Sequence, residues 1–541
     1  MRTIGLGPLC AIIGSGQMST QVLQSEQTRQ IVSYDPGTGE EIGRVPLASP
    51  EDVAHAVRRA GKAQPAWAVL SFGQRARIVL KAREIMLSQM EELATLISRE
   101  TGKPVPEAIS MEVVPTLDTM HYFATHTERL LRPQKIDLGQ YGLMGRSSRI
   151  VYKPMGVVGI ISPWNFPLAT PADEVVMALM SGNAVVLKPS ELTPLIALKL
   201  GEIFIRAGLP EGLLEIVTGD GSTGAALIDA RVDKIMFTGS VATGKRVAEA
   251  AAKHLTPVVL ELGGKDPMVV LADADVDNAA RGAVWGAFAN SGQACASVER
   301  CYVHESIAPQ FLARVLAETQ SLRQEVGTKS DTDVGAMTNE RQLRIVEEHV
   351  SDAVERGARV VTGGKRAALS GYFYPPTVLT NVDHRMTIMR DETFGPVLPV
   401  MTFKTEDEAV NLANDSVFGL TASVWTKDIS RGRELAERIE AGTVMVNEVL
   451  YTHGIAQTPW GGIKDSGYGR THGRMGLLEL VTPRHIHVNR ISFLPDIWWF
   501  RYDLGAQKLF RGLAKYTTTG SIIRTTRLMP QMMRRLFGRR G

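Results

Sequence analysis

Cysteine is scarce. Cys10, Cys295 and Cys301 are the three in 541 residues, too few for a disulfide framework and in keeping with a reducing, cytoplasmic compartment. No Cys/His cluster has metal-ligand spacing, so no zinc site and no other metal is expected. No run of about 18 apolar residues occurs, which excludes an evident transmembrane helix. Met1 to Gly16 carries one Arg and a short apolar patch without a convincing cleavage site, so a signal peptide is not expected. Residues 1–28 are expected to be disordered, with Met18 as an alternative start. Internal repeats and low-complexity segments are absent. A net charge of one sign is also lacking: 60 Lys and Arg face 57 Asp and Glu, a net of +3. The balance is uneven. From Ile491 to Gly541 ten Lys/Arg face two Asp, a net of +8 that leaves the preceding residues at −5.

What is present is ordinary for a folded chain: 44% hydrophobic and 22% charged residues, with length enough for more than one domain. Ile31 to Val45 alternates around Asp35-Pro36-Gly37 and predicts a hairpin. Ser49-Pro50-Glu51 predicts a capped helix start. Helical periodicity then runs from Arg75 to Arg99 and from Val105 to about Leu130. Gly139 to Tyr152 reads as an extended polar ribbon. From Val157 the pattern becomes strand, loop, helix, with strands at Gly156–Ile161, Ala184–Leu187, Leu214–Val217 and Lys234–Phe237. This is the rhythm of a doubly wound parallel sheet. After Gly264 it restarts, with strands near Met268, Tyr302, Val360, Val397, Ala422 and Val444.

Two segments carry chemistry. Phe288-Ala-Asn290-Ser-Gly292-Gln293-Ala-Cys295 places a thiol in a small polar turn between a helix and a strand. A free thiol titrates at about 8.5, so as a nucleophile it needs a base or a field of donors. Val258-Val-Leu-Glu261-Leu262-Gly263-Gly264-Lys265 offers the base, one carboxylate at the end of an apolar strand, where burial would raise its pKa. Cysteine plus glutamate without a nearby histidine suits acyl transfer to water from an aldehyde-derived thioester. In these segments the chain resembles the aldehyde dehydrogenase superfamily, over about residues 30–489 and with the motifs in family order. The resemblance implies two doubly wound α/β domains and a β-ribbon oligomerisation arm. Residues 29–135 and 153–262 would form the NAD-binding domain, 263–471 the catalytic domain, and 136–152 with 472–490 the arm of a homodimer or homotetramer. Cys295 would be the nucleophile and Glu261 the base.

Phe237-Thr238-Gly239-Ser240, ahead of a helix that includes Gly244, can bring backbone N–H groups, a hydroxyl and a helix N-terminus to a phosphate. The resemblance makes it the pyrophosphate turn. Gly219-Asp-Gly221-Ser-Thr-Gly224 also has glycine-fingerprint spacing, but no acidic residue closes the next strand, and a plain turn is the better reading. Lys188, Ser190 and Glu191 close a strand where nucleotides bind in open sheets. By resemblance Lys188 and Glu191 hold the adenosine ribose. A carboxylate accepts from a 2′-hydroxyl and repels a 2′-phosphate, so NAD is favoured, with NADP possible. Ile161, Ser162, Trp164, Leu262, Glu392 and Phe394 complete the cofactor contacts that the resemblance implies. Ser162-Pro-Trp164-Asn165-Phe-Pro167 pins an amide between aromatics, which makes Asn165 the expected oxyanion donor.

The chain also departs from the family pattern. A lysine and a glutamate of the family's proposed proton path are replaced by Glu174 and Thr471, and the carboxylate-binding arginine of succinate-semialdehyde-type members by Asp173. Other motif detail (Cys295-Ala-Ser-Val-Glu-Arg300, Lys464-Asp-Ser-Gly467) is similar to that branch. The charge argument outweighs it, so a hydrophobic small-molecule aldehyde is expected, with succinate semialdehyde as the alternative. A catalytically silent structural member is the alternative of another class. Pro459 to Arg470 is expected to pack beside the substrate entrance. Residues 491–541 form a basic amphipathic extension. Its aromatics, interleaved with Lys and Arg, suit either packing on a neighbouring subunit or contact with the inner face of a membrane. Nucleic-acid binding is not expected, because no recognisable module accompanies the charge.

Overall fold

The computed structural model describes residues 30–143, 145–519, 523 and 526–537. Cys10 and the disorder expected over residues 1–28 lie outside the described residues. Two compact units divide the chain, residues 1–130 with 154–481 and residues 131–153 with 482–541.

The larger unit opens with an antiparallel hairpin, β1 (Gln30–Tyr34) and β2 (Glu41–Pro46), with Ile31 opposite Val45. Its turn is closed by Asp35, whose Oδ1 accepts the Gly37 N–H at 2.8 Å. Helices α1 (Pro50–Ala68) and α2 (Phe72–Ser88) start at capping boxes, Ser49 with Asp52 and Ser71 with Gln74. Helix α3 (Met90–Thr101) stops at Gly102, whose φ of 87° suits glycine. Helix α4 (Val114–Leu130) completes this layer.

The first large sheet has the strands β5 (Val157–Ile161), β6 (Ala184–Lys188), β7 (Leu214–Ile216), β8 (Lys234–Thr238) and β9 (Val258–Glu261), all parallel. Helices α5 (Ala169–Met180), α6 (Pro194–Ala207), α7 (Gly221–Asp229) and α8 (Val241–Ala252) alternate with them. Every residue of β5 and β6 is buried, which is why these strands are continuous apolar runs rather than alternating ones. The order β17-β9-β8-β5-β6-β7 reverses at β5. Such a reversal leaves a crevice at the carboxyl ends of the strands, here Ile161, Lys188, Thr238 and Glu261.

The second large sheet has the order β12-β13-β14-β11-β10-β15-β16, built from β10 (Asp266–Val270), β11 (Val298–His304), β12 (Arg359–Thr362), β13 (Thr377–Thr380), β14 (Val397–Phe403), β15 (Thr421–Trp425) and β16 (Thr443–Val446). Only β12 runs antiparallel to its neighbour. Strand β13 escapes the sequence reading, being four residues long between irregular segments. Helix α9 (Val276–Phe288) packs on this sheet and ends at the Cys295 turn. Helix α10 (Glu340–Glu355) lies on it through Leu343, Val346 and Val350.

The glycine-rich segment after Pro459 does more than pack beside an entrance. Its strand β17 (Gly467–Tyr468) pairs antiparallel with β9, Gly467 opposite Glu261. Ser466 ties the junction together: its carbonyl accepts the Leu262 N–H at 3.1 Å and its hydroxyl donates to the Gly263 carbonyl at 2.6 Å.

In the smaller unit β3 (Gln134–Ile136), β4 (Arg146–Pro154) and β18 (Val481–Asn489) form a sheet in the order β18-β4-β3. The ribbon expected from Gly139 starts at Arg146, after a helical turn over Gln140–Leu143. The ribbon expected from residue 472 starts at Val481. Gly473–Glu479 is instead helix α11, held in the larger unit by Glu479 on Lys234 at 2.7 Å. Beyond it, α12 (Leu504–Thr517) and α13 (Met529–Phe537) close a small core of Ile497, Leu509, Leu513, Leu528 and Met532.

Candidate active site

The Cys295 turn is a strained backbone segment. Asn290, Ser291 and Gly292 follow one another at φ of 53°, 55° and 71°, and non-glycine residues there cost of order 1–3 kcal/mol each. Hydrogen bonds hold them. The Asn290 amide donates to the carbonyls of Gln293 (3.0 Å) and Asn165 (3.1 Å), and its N–H to Glu107 at 2.9 Å. The Ser291 hydroxyl donates to the Gly335 carbonyl at 2.9 Å, and the Gln293 side chain accepts the Thr338 N–H at 2.9 Å. Gly292 admits no side chain, since a Cβ would strike the Gly395 carbonyl. The turn leaves Cys295 partly exposed at the edge of the core. Burial, reinforced by Asp266, Glu392 and Glu261, pushes its thiol pKa up.

Glu261 closes β9, buried, with neither carboxylate oxygen partnered. Burial, then the nearby Glu174, holds it well above the carboxylate range. Gly263 and Gly264 are small because other segments crowd in. A Cβ at Gly263 would collide with the Glu392 carboxylate, and one at Gly264 would lie 2.6 Å from the Cys295 carbonyl oxygen. The backbone after Glu261 and the backbone at Cys295 therefore touch. Asn165 donates one amide N–H to the Gln293 carbonyl at 3.1 Å, and an amide nitrogen has a second N–H to offer. Its own carbonyl accepts from Lys103 at 2.8 Å, and Lys103 is neutralised by Glu112 at 2.6 Å.

Cys295, Glu261 and Asn165 open onto one cavity of about 1450 Å³. Its other half is the crevice of the first sheet, lined by Ile161, Ser162 and Trp164 from β5, Lys188, Ser190 and Glu191 from β6, Gly221 from α7, Phe237, Thr238, Gly239 and Ser240 from β8, and Leu262, Glu392 and Phe394 from the facing loops. Gly244 is off this lining. It sits in the first turn of α8, where a Cβ would press on Leu262 at 2.5 Å. Three observations make the crevice fit a dinucleotide. The buried hydroxyls of Ser162 and Thr238 lack partners; a Cβ at Gly221 would meet nothing within 4 Å; and the N-terminal turn of α8, with its Ser240 cap and Thr243, lines the cavity. Lys188 lies 3.5 Å from Glu191. Trp164 meets Phe394 edge-on at 5.4 Å, and Glu392 accepts the Gly264 N–H at 3.0 Å.

A match to the family model described as Aldehyde dehydrogenase family runs over residues 22–486. The chain belongs to the aldehyde dehydrogenase family. As such it is an enzyme that oxidises aldehydes, and the family uses NAD or NADP. It is 40% identical over 486 residues, 90% of this chain and 91% of the other, to a 4,4'-diapolycopene aldehyde oxidase of a Methylomonas species. It is 39% identical over 470 residues, 85% of this chain and 90% of the other, to a Mycobacterium ulcerans protein provisionally named succinate-semialdehyde dehydrogenase (NADP+) 2. Among solved structures, the NAD-dependent aldehyde dehydrogenase of Sinorhizobium meliloti superposes with a TM-score of 0.83 at 39% identity, covering 87% of this chain and 93% of that one.

Several groups of this aldehyde dehydrogenase site escape the sequence reading. Asp173 does not stand free in the channel. Its Oδ2 shares a hydrogen bond with Nε2 of His472 at 2.9 Å, and the His472 ring meets the His453 ring at 5.0 Å. Asp173, His453 and His472 also place ligand atoms within 4.8 Å of one another, a cluster that sequence spacing could not show. Glu299 accepts the Thr393 and Phe394 N–H groups, both at 2.8 Å, and Lys265 at 2.5 Å. The Lys103–Glu112 pair and Ser466 complete the set. These partners lie far apart in the chain, and no local motif marks them.

Proposed function

We propose that this enzyme oxidises a hydrophobic aldehyde to its carboxylic acid with NAD, through a thiohemiacetal and a thioester on Cys295. The observation that carries the substrate class is charge. The lysine and arginine side chains that line the cavity are Lys188, Arg246 and Arg341, from β6, α8 and the start of α10. The segments around Cys295 contribute no lysine or arginine; burial pushes His453 down to about 3, and His472 is bonded to Asp173. They offer Met111, Val114, Phe166, Trp285, Leu450 and Trp460, with Asp118, Asp173, Glu174 and Glu261 as the acidic groups. A carboxylate substrate would be desolvated there without a cation. Of the two names above, diapolycopene aldehyde, the aldehyde of a hydrocarbon, suits this wall better than succinate semialdehyde.

Glu261 takes the thiol proton as Cys295 attacks, and the second Asn165 N–H, with the Cys295 backbone N–H, meets the oxyanion that forms. Such a donor is worth roughly 3–4 kcal/mol of barrier. Once the thiol proton has left it, Glu261 takes a second one from the water that hydrolyses the thioester. NAD, held by Lys188, Glu191, the Ser240 end of α8 and Glu392, would accept the hydride. The test compares kcat/KM by NADH formation across long alkyl aldehydes and succinate semialdehyde. Long alkyl aldehydes should lead by more than about tenfold; a preference for succinate semialdehyde overturns the substrate class.

The same reading extends to partners. β18 is an edge strand of nine mostly exposed residues, and such an edge would pair with another copy as a homodimer or homotetramer arm. Residues 491–541 would meet an anionic membrane surface on the cytoplasmic side. No helix among the described residues is long and apolar enough to cross a membrane.

A further inference from the structure

The cavity wall behind Glu261 holds more ionisable groups than the steps above use. Glu174 and Asp173 are consecutive on α5, 2% and 3% exposed. Glu174 Oε2, Asp173 Oδ1 and both Glu261 oxygens are buried without a partner. Unpartnered buried carboxylate oxygens are expensive unless protons are shared among them or carried by water. The groups facing them come from every neighbouring element. Glu261 faces Glu174, Arg470 and Glu479. Glu174 faces Asp173 and Thr238, and burial, then Asp173, raises it to about 8. Asp173 faces His472, Thr119 and Asp118. All three acids, His453 and His472 line the one cavity that holds Cys295.

We propose that Glu174, continued by Asp173, His472 and His453, relays the proton of Glu261 to solvent during thioester hydrolysis. This rests on Glu261 being the base. As the water oxygen bonds to the thioester carbon, its proton passes to the Glu261 carboxylate. The carbon–sulfur bond breaks and Cys295 leaves as the thiolate. Glu261 then hands its proton, directly or over a bridging water, to one oxygen of Glu174 as the other oxygen gives one up toward Asp173 and His472. Glu261 is thereby restored as the base for the next turnover. The carboxylic acid product loses its own proton in solution.

The experiment uses the full chain, with Glu174→Gln, Glu174→Asp and Glu261→Gln, in a poorly basic buffer with and without added imidazole. In Glu174→Gln the first NADH burst should keep its amplitude, because NADH forms before hydrolysis and up to that point Glu261 alone accepts the one proton released, that of the thiol. Its steady-state kcat should fall at least about tenfold, the scale of a lost proton-transfer group. Imidazole should restore kcat in proportion to its concentration, the acid limb of the kcat–pH profile should move, and Glu174→Asp should recover much of the rate. An unchanged kcat and pH profile in Glu174→Gln overturns the relay, and so does a loss that neither imidazole nor Glu174→Asp restores. Undiminished turnover in Glu261→Gln would instead remove the base on which the relay rests.

Discussion

Burial and then nearby carboxyl groups oppose the ionisation of Cys295, so the proposed mechanism needs Glu261 to make it a nucleophile. Cys295→Ala should therefore abolish dehydrogenase and esterase activity together. Glu261→Gln should retain a slow NADH burst and lose turnover after thioester formation. Cys301 is fully buried within β11, and Cys301→Ala should leave kcat/KM within about twofold. Full activity in Cys295→Ala would end the assignment. Because Glu261, as the proposed base, must be ionised to act and its pKa is held high, kcat/KM should climb with pH through a limb well above the usual carboxylate range. A limb near pH 4.5 would show Glu261 solvated instead. At this scale the sequence was readable wherever the chemistry is local. Glu261 closes an apolar strand before two glycines, Cys295 follows a polar turn, and Asn165 stands between prolines. It was unreadable where a role needs a partner. Asp173 looks like a free charge until His472, 299 positions away, is found bonded to it.

Elements, not single side chains, fix the spacing of Glu261, Cys295 and the crevice. β17 clamps β9 at Glu261, the left-handed turn at Asn290–Gly292 presses on Gly395, and Glu299 pins the loop of Glu392 and Phe394 from the start of β11. The strands and helices were legible because buried parallel strands are apolar runs and amphipathic helices carry caps. The clamps were not, since β17 has two residues and Ser466 looks like an ordinary loop serine. Glu299 gives a test at this scale. Glu299→Ala would leave Lys265 buried and uncompensated and free two backbone N–H groups. Breaking such a pair costs on the order of 3–5 kcal/mol, so Tm should drop. The KM for NAD should rise at least about tenfold, with a smaller change in the KM for aldehyde. A normal KM for NAD would show that the loop keeps its place without Glu299. Glu191→Ser, at the end of β6, should narrow the preference for NAD over NADP in kcat/KM, because it removes the carboxylate that would repel a 2′-phosphate.

Across the whole molecule the charge divides as the sequence indicated, an acidic body and a basic extension, but the extension folds differently from its linear pattern. Leu504, Leu509, Phe510 and Leu513 look like one apolar series along a basic helix. In the structure Leu509 and Leu513 of α12 are buried against Leu528 and Met532, and Phe510 packs on the same cluster, so three of that series of four hold α12 and α13 together. Arg535 is committed as well, donating to the carbonyls of Ile497, Trp499 and Arg501. What stays outside is a run of large side chains leading into the first residue of α12: Phe493, Trp499, Phe500, Tyr502 and Leu504 are 59–82% exposed. Arg524 and residues 538–541, part of the expected basic segment, lie outside the described residues. Exposed aromatics beside a net of +8 fit the headgroup level of an anionic bilayer, where each basic side chain contributes about 1 kcal/mol that falls with salt. Flotation with vesicles containing anionic lipid should therefore carry the full chain at low salt and release it at high salt. Phe500→Ser with Trp499→Ser should weaken flotation and leave the NADH burst intact, since both side chains are solvent-exposed and outside the cavity lining. A full chain that stays unbound on such vesicles at low salt defeats membrane contact. If the double variant changes the subunit count instead, these aromatics cover a neighbouring copy.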